Sequence, residues 1–107
     1  MVYTIEQIKE KILPIIEKYE IKVVYIFGSY ARGDATIDSD VDILFRLKGS
    51  RVIGLIYGVL IDEIQDTLNK KVDLVTEESL YDVEEMKRSP WFIKSIFEER
   101  VKIYEKN

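Results

Sequence analysis

Apolar residues recur at helical spacing at the start of the chain. They follow one another at intervals of three and four residues, as Ile5, Ile8, Ile12, Ile15, Ile16 and Tyr19. Thr4 and Gln7 form the pattern of a capping box in front of them. The pattern predicts a first helix over residues 4–19, kinked at Pro14 because proline lacks the N–H that would bond to the Glu10 carbonyl.

The next segment has the periodicity of strands. Residues 23–27 are continuously apolar and end at Gly28, which is typical of a strand covered on both faces. Residues 29–32 predict one short helical turn, and a polar loop follows through Asp38. Polar and apolar residues then alternate from Asp40, which predicts a second strand that ends before Gly49.

A long helix is predicted from Ser50, its cap, to about Leu68. Its buried stripe would consist of Val52, Leu55, Ile56, Val59 and Leu60. Gly54 and Gly58 lie four residues apart on one face of this helix, so they favour close packing against another backbone, within the core or, as the alternative, at a dimer face.

The last third of the chain predicts two strands and a helix. Residues 72–75 form a third short strand, and Ser89 with Pro90 is an N-cap followed by proline in the first position of a helix to about Glu99. The alternation over residues 101–104 predicts a fourth strand, with continued helix as the alternative. In the last helix the apolar residues are expected in the core, with a partner surface as the alternative; they are Trp91, Phe92, Ile96 and Phe97.

These elements predict an α/β (α+β) fold, with a mixed central sheet of about four strands flanked by helices, in one domain over residues 1–107. With 47% hydrophobic and 34% charged residues the composition is that of a soluble globular protein. No apolar run approaches the roughly 20 residues of a membrane span, and the N-terminus has no leader pattern. We therefore expect a cytoplasmic protein.

Composition also limits the chemistry. The chain has no Cys and no His, which excludes thiolate metal sites and the usual general base. Catalysis would have to use carboxylates, hydroxyls, Lys or Arg. The net charge of −4 opposes attraction to phosphate backbones, so direct nucleic-acid binding is not expected.

The candidate site combines a glycine turn with two aspartates. Gly28 allows close approach of the backbone to a ligand, and Ser29 opens a helix whose free N–H groups point at an anion. Asp40 and Asp42 are two residues apart on a strand, so their carboxylates project from the same face. This arrangement predicts a phosphate-binding turn beside a cation site.

Mg²⁺ is the expected cation, because it takes hard oxygen ligands and is usually held by one or two carboxylates and substrate phosphates. Asp73 is an acidic residue within an apolar strand and would join the cluster if its strand pairs beside the second one. Asp73 would then either ligate metal or accept a proton from an attacking hydroxyl. The alternative is an exposed ion pair with Lys70 or Lys71.

Three further residues have two interpretations each. Arg32 either contacts a phosphate or complements the helix dipole. Ser39 either orients Asp40 through a hydrogen bond or simply begins the strand. Tyr30, next to the glycine turn, either stacks on a base or fills the mouth of the cleft.

The spacing of these motifs resembles that of a known family. Gly28 and Ser29, ten intervening residues, and then Asp40 and Asp42 look like the signature of the DNA polymerase β-like nucleotidyltransferase superfamily. The whole chain resembles the minimal nucleotidyltransferases (MNT), in the Ala-Arg-Gly stretch over residues 31–33, in Asp73 on a later strand, and in the Pro-Trp-Phe helix start over residues 90–92.

This resemblance implies a fold, a reaction and a partner. It implies the nucleotidyltransferase fold, binding of the ATP triphosphate by Gly28 and Ser29, Mg²⁺ ligation by Asp40 and Asp42, and a third catalytic carboxylate at Asp73. It further implies an antitoxin that transfers AMP from ATP to a tyrosine of a partner HEPN ribonuclease toxin. Two alternatives stay open, namely an antitoxin that only occludes its partner and nucleotidyl transfer to a small molecule or an RNA end.

Overall fold

The structure of the chain, a computed structural model, describes residues 2–81 and 90–106. Within these residues the chain alternates helices and strands along most of its length. In order, the elements are α1 (Ile5–Lys18), β1 (Val23–Phe27), α2 (Gly28–Arg32), β2 (Val41–Phe45), α3 (Ile56–Leu68), β3 (Val72–Thr76), a 3-10 turn (Glu78–Tyr81), α4 (Pro90–Glu99) and β4 (Val101–Glu105).

The four strands form one mixed sheet in the order β3-β2-β1-β4. β1 is antiparallel to both β2 and β4, whereas β2 and β3 are parallel. A parallel pair needs a crossover connection, and α3 lies in the segment between β2 and β3. The predicted α/β (α+β) fold with a four-stranded mixed sheet is confirmed, and residues 101–105 form a strand and not a continued helix.

Both faces of the sheet are buried. One face packs against α1 and α3, with sheet residues such as Val24, Ile26, Val41, Ile43 and Ile103. The other face packs against the 3-10 turn and α4, through Val23, Tyr25, Phe27, Leu44, Leu80, Ile93 and Ile96. β1 contributes residues to both clusters and is therefore covered on both faces, as its continuously apolar sequence predicted.

Helix α1 begins as predicted. The N–H of Gln7 donates to Thr4 Oγ1 at 3.1 Å, and the Thr4 N–H donates to Gln7 Oε1 at 2.9 Å, which completes the capping box. The helix continues through Pro14, and a kink at that residue stays a prediction. None of the described helices has the length and apolar character that crossing a bilayer requires.

The predicted start of α3 was wrong. The helix begins at Ile56, and Ser50 is hydrogen-bonded within a turn, where its Oγ donates to the Leu47 carbonyl and accepts from the Val52 N–H. Gly54 has a φ of +58°, which a right-handed helix does not allow, so the helix cannot extend back across it. The predicted stripe is therefore partly exposed, and the residues buried in α3 are Leu60, Ile64 and Leu68.

Two other packing predictions for this region and for α4 were also wrong. A Cβ added at Gly54 or Gly58 would meet nothing within 4 Å, so neither glycine marks close backbone packing. Of the four apolar residues expected in the core, Trp91, Phe92 and Phe97 are exposed, at 81%, 44% and 37%, and Ile96 is buried as predicted. α4 does begin at Pro90, and its buried residues are Ile93 and Ile96. The predicted N-cap Ser89 lies outside the described residues.

Candidate active site

One cleft of about 450 Å³ brings together the candidate site residues that the sequence singled out, except Tyr30. It lies where β1 ends, α2 begins and β2 begins. Its lining includes Gly28, Ser29, Arg32, Ser39, Asp40, Asp42 and Asp73. Residues from the helix α2, the loop before β2, and the strands β2 and β3 therefore meet in one place, although what each of them does remains a prediction.

Gly28 is in direct contact with the acidic group. Its φ is +71°, in the left-handed region that favours glycine. A Cβ at this position would lie 2.0 Å from Asp42 Oδ2 and 3.0 Å from Asp42 Cγ. Both the backbone conformation and the available space therefore require glycine, and the backbone turn is held directly against the carboxylate.

The register of the sheet places the acidic residues together. Asp42 is paired with Asp73 on the parallel neighbour β3 and with Phe27, the residue before Gly28, on the antiparallel neighbour β1. Burial, followed by repulsion from Asp73 and Asp40, raises the pKa of Asp42 from 3.8 to about 6, and Arg32 opposes this shift. The nearby positive charge therefore does not balance the negative charges of the three carboxylates.

These carboxylates suit a hard cation. All three offer only oxygen atoms, and their mutual repulsion would be relieved by a positive ion between them. Among the described residues, no group of three or more acidic side chains is arranged so that it could by itself hold a metal ion. Mg²⁺ usually takes only one or two carboxylates, with phosphates and water completing its shell, so Asp40 and Asp42 would suffice to hold this ion and a third carboxylate is not required.

Arg32 lines the cleft and makes two ion pairs. Its Nη1 lies 2.9 Å from Glu99 Oε2 on α4, and its Nε lies 3.3 Å from Asp34 Oδ2. Arg32 is also the last residue of α2, so its position is compatible with both predicted roles. Arg32 also lies close enough to Asp42 for its positive charge to oppose the rise in the pKa of that carboxyl.

The structure shows the surroundings of Ser39 and Tyr30 and leaves a contact of Ser39 with a ligand as a prediction. The Ser39 hydroxyl accepts from the Thr36 N–H at 2.8 Å and so closes the polar loop, although the residue lines the cleft. Within residues 2–81 and 90–106 it makes no hydrogen bond to Asp40. Tyr30 is buried among the core residues and does not stand at the mouth of the cleft.

Sequence reasoning missed one wall of the cleft. Phe92, Ser95 and Glu99 of α4 line it, together with Phe27 at the end of β1. The α4 residues are spaced three and four apart and so share one face of the helix. That spacing is visible in the sequence, but only the fold shows that this face of α4 lines the cleft.

A second cavity adjoins the cleft. It has a volume of about 370 Å³ and shares Phe92 with the cleft. Its described lining contains polar but no charged side chains: Tyr57, Leu74, Val75, Thr76, Ser79, Leu80, Phe92 and Ile93. Because charge is concentrated in the cleft, we assign the candidate chemistry to the cleft.

Solved structures with the same fold are known. The structure described as a minimal nucleotidyltransferase is 25% identical to this chain, with a TM-score of 0.62, and the match covers 94% of this chain and 97% of that one. A chain in the complex of a tri-AMPylated Shewanella oneidensis HEPN toxin with an MNT antitoxin has a TM-score of 0.62 at 16% identity. That match covers 94% of this chain and 72% of the other.

The sequence comparisons agree with the fold. The family described as nucleotidyltransferase domain matches residues 6–104. A protein of Methanocaldococcus jannaschii that is provisionally named a protein adenylyltransferase is 35% identical over 105 residues, which cover 92% of this chain and 96% of that protein. The chain therefore belongs to the nucleotidyltransferase domain family and is an enzyme of the minimal nucleotidyltransferase type.

Proposed function

We propose that this enzyme transfers AMP from ATP to a tyrosine hydroxyl of a HEPN-family toxin and thereby acts as its antitoxin in the cytoplasm. The observation on which this rests is the cleft, in which a glycine turn at Gly28 and Ser29 meets the carboxylates of Asp40, Asp42 and Asp73. The name of the Methanocaldococcus relative supports a protein acceptor, and the complex of Shewanella proteins supports the class of partner.

Each group in the cleft has a proposed task. Gly28 and Ser29 bind the triphosphate through backbone N–H groups, while Arg32 and Ser39 lie where they can contact it. Asp40 and Asp42 hold Mg²⁺, with Asp73 as a further ligand or as the base.

When bound, Mg²⁺ neutralises charge on the triphosphate and assists the departure of pyrophosphate. In the transfer the acceptor oxygen forms a bond to the α-phosphorus as the bond to pyrophosphate breaks. In one of the two roles left open for Asp73, that carboxylate takes the acceptor proton. Positioning and electrostatics provide most of the acceleration.

We further propose that residues 1–107 act as one domain and that the partner protein presents the acceptor. The acidic cleft and the net charge of −4 disfavour direct contact with nucleic acid. Trp91, at the start of the helix that forms one wall of the cleft, is 81% exposed, which supports the alternative of a partner surface over a place in the core.

The test is intact-mass spectrometry of the HEPN protein after incubation with this enzyme, ATP and Mg²⁺. The expected result is a gain of one or more AMP units, located on tyrosine by fragmentation. A tight complex without a mass gain would instead support neutralisation by occlusion. A labelled product formed from RNA or small molecules without the HEPN protein would support the other alternative.

The double variant Asp40→Asn/Asp42→Asn should lose transfer because it removes the negative charges that bind the cation while preserving the shape of the side chains. Asp62→Asn/Asp66→Asn is the matched control, since both of these acids are exposed on α3. Circular dichroism should show all three proteins folded. Transfer at the wild-type rate by the first variant would contradict the mechanism.

A further inference from the structure

The ion pair between Arg32 and Glu99 joins two walls of the cleft. Arg32 ends the short helix α2 that follows the glycine turn, and Glu99 ends α4. Their side chains meet at 2.9 Å, although the residues are 67 positions apart in the sequence. Asp34 binds the same guanidinium from the neighbouring loop at 3.3 Å.

Charge in the cleft is unevenly distributed. Of the described side chains that line it, Arg32 is positively charged, whereas Asp40, Asp42, Asp73 and Glu99 are acidic. A triphosphate is strongly negative, so the direction in which this guanidinium points affects how well the cleft accepts a nucleotide. The placement of Glu99 beside it therefore needs a physical explanation.

Stability alone does not provide one. The side chains of Arg32 and Glu99 are 46% and 32% exposed, and ion pairs in such positions contribute little to folding because solvent screens them. Glu99 also adds a fourth negative charge to the lining, which by itself would weaken the binding of phosphate. A role of Glu99 in orienting the Arg32 guanidinium would offset this unfavourable charge.

We propose that Glu99 is a positioning residue that holds the Arg32 guanidinium toward the triphosphate. Arginine has five N–H donors, of which Asp34 takes the one at Nε and Glu99 one at Nη1. The remaining N–H groups are then fixed in direction by two anchors. Binding of nucleotide costs less side-chain entropy when the arginine is already oriented. The inference rests on the proposed function, because it takes a nucleoside triphosphate as the ligand.

The test measures affinity and turnover separately. Titration calorimetry with a non-hydrolysable ATP analogue and Mg²⁺ should show that Glu99→Ala weakens binding about two- to tenfold, which is the cost of ordering one free side chain. The KM for ATP should rise by a similar factor with kcat little changed. Glu99→Gln keeps an acceptor oxygen and should lie between the wild type and Glu99→Ala.

A double-mutant cycle identifies the pathway of the effect. In an Arg32→Ala background Glu99→Ala should no longer weaken binding, because the favourable influence of Glu99 passes through that guanidinium; only the loss of its negative charge remains, which leaves affinity equal or tighter. Asp34→Asn is the matched control for loss of one charge beside the same arginine, and its effect should be smaller because its contact is longer and more exposed.

The possible outcomes are distinct. Unchanged or tighter binding by Glu99→Ala in the wild-type background, or a loss of affinity on Glu99→Ala that persists without Arg32, would overturn the role of Glu99 while leaving the proposed function intact. Failure of the wild-type protein to bind the analogue with Mg²⁺ would overturn the proposed function and this inference together.

Discussion

The Gly28 backbone lies against the Asp42 carboxylate, so the site requires a residue without a Cβ at this position. Replacement by alanine would place a Cβ 2.0 Å from Asp42 Oδ2. Either the turn or the carboxylate would have to move, and a displacement of about 1 Å at a reacting centre can reduce activity about a hundredfold.

We therefore expect Gly28→Ala to lower kcat/KM for transfer by about a hundredfold or more. Gly33→Ala is the matched control, because Gly33 also has a positive φ of +84° but has no atom within 4 Å of the added Cβ. Both variants should lose about 1–2 kcal/mol of unfolding free energy from backbone strain, measured by urea titration. Equal loss of transfer in both would show that the contact with Asp42 is unimportant.

Asp42 provides a prediction about stability and pH. Its pKa in the folded protein, about 6, lies above the ordinary value of 3.8, so the folded state binds the proton more tightly than the unfolded state. The stabilisation from protonation is fully present below the unfolded pKa. It is lost as the pH rises through the folded pKa, and above that the charged carboxylate destabilises the metal-free fold.

Asp42→Asn should consequently stabilise the protein in EDTA at about pH 8 by on the order of 1 kcal/mol, a value reduced for the partial exposure of the group. The difference should shrink at about pH 4, where wild-type Asp42 is mostly protonated. Urea unfolding at both pH values measures it, with the exposed Asp66→Asn as control. A variant less stable than the wild type at the higher pH would contradict the account of Asp42.

Among the elements, α3 shows where sequence periodicity was insufficient. Apolar residues continue upstream of the helix, but a φ of +58° at Gly54 separates them from it. Leu55, which directly precedes the helix, is 94% exposed, whereas Val52 upstream of Gly54 is buried. Periodicity indicates where apolar residues recur, but it does not indicate the backbone conformation of a glycine, which has access to both signs of φ.

Within α3, Gly58 should be replaceable at a gain. It is helical, and an added Cβ would meet nothing within 4 Å. Gly58→Ala should raise the unfolding free energy by about 0.5–1 kcal/mol, because alanine loses less conformational entropy in a helix. Gly54→Ala, with its positive φ, should lower it. Urea titration distinguishes the two. A destabilising Gly58→Ala would contradict the open space around Gly58.

At the scale of the whole molecule, α4 contributes both to the cleft and to the exposed surface next to it. Phe92 lines the cleft, while its neighbour Trp91 is exposed. We expect Trp91→Ala to weaken binding of the proposed HEPN partner by about 2 kcal/mol, as for exposed aromatic anchors at interfaces. Leu55→Ala, on the opposite layer, is the control. Calorimetric titration measures both, and equal affinities for the wild type and Trp91→Ala would remove Trp91 from the interface.

The sequence by itself determined the kinds of element and the chemical groups of this protein. Capping residues, β-branched runs and alternation depend on neighbours along the chain, so α1, β1, β2, β3, β4 and the start of α4 were predictable from local physics. The glycine turn and the aspartates were likewise visible in the sequence, because their spacing on a strand sets their common face.

The tertiary structure decided which of these groups meet. The parallel pairing of β2 with β3 sets Asp42 beside Asp73, and the packing of α4 adds Phe92, Ser95 and Glu99 to the cleft. It also left Trp91 outside the core. These features depend on sheet order, register and helix docking between distant segments, which minimise the exposed apolar surface of the whole chain and are not specified by any single stretch of it.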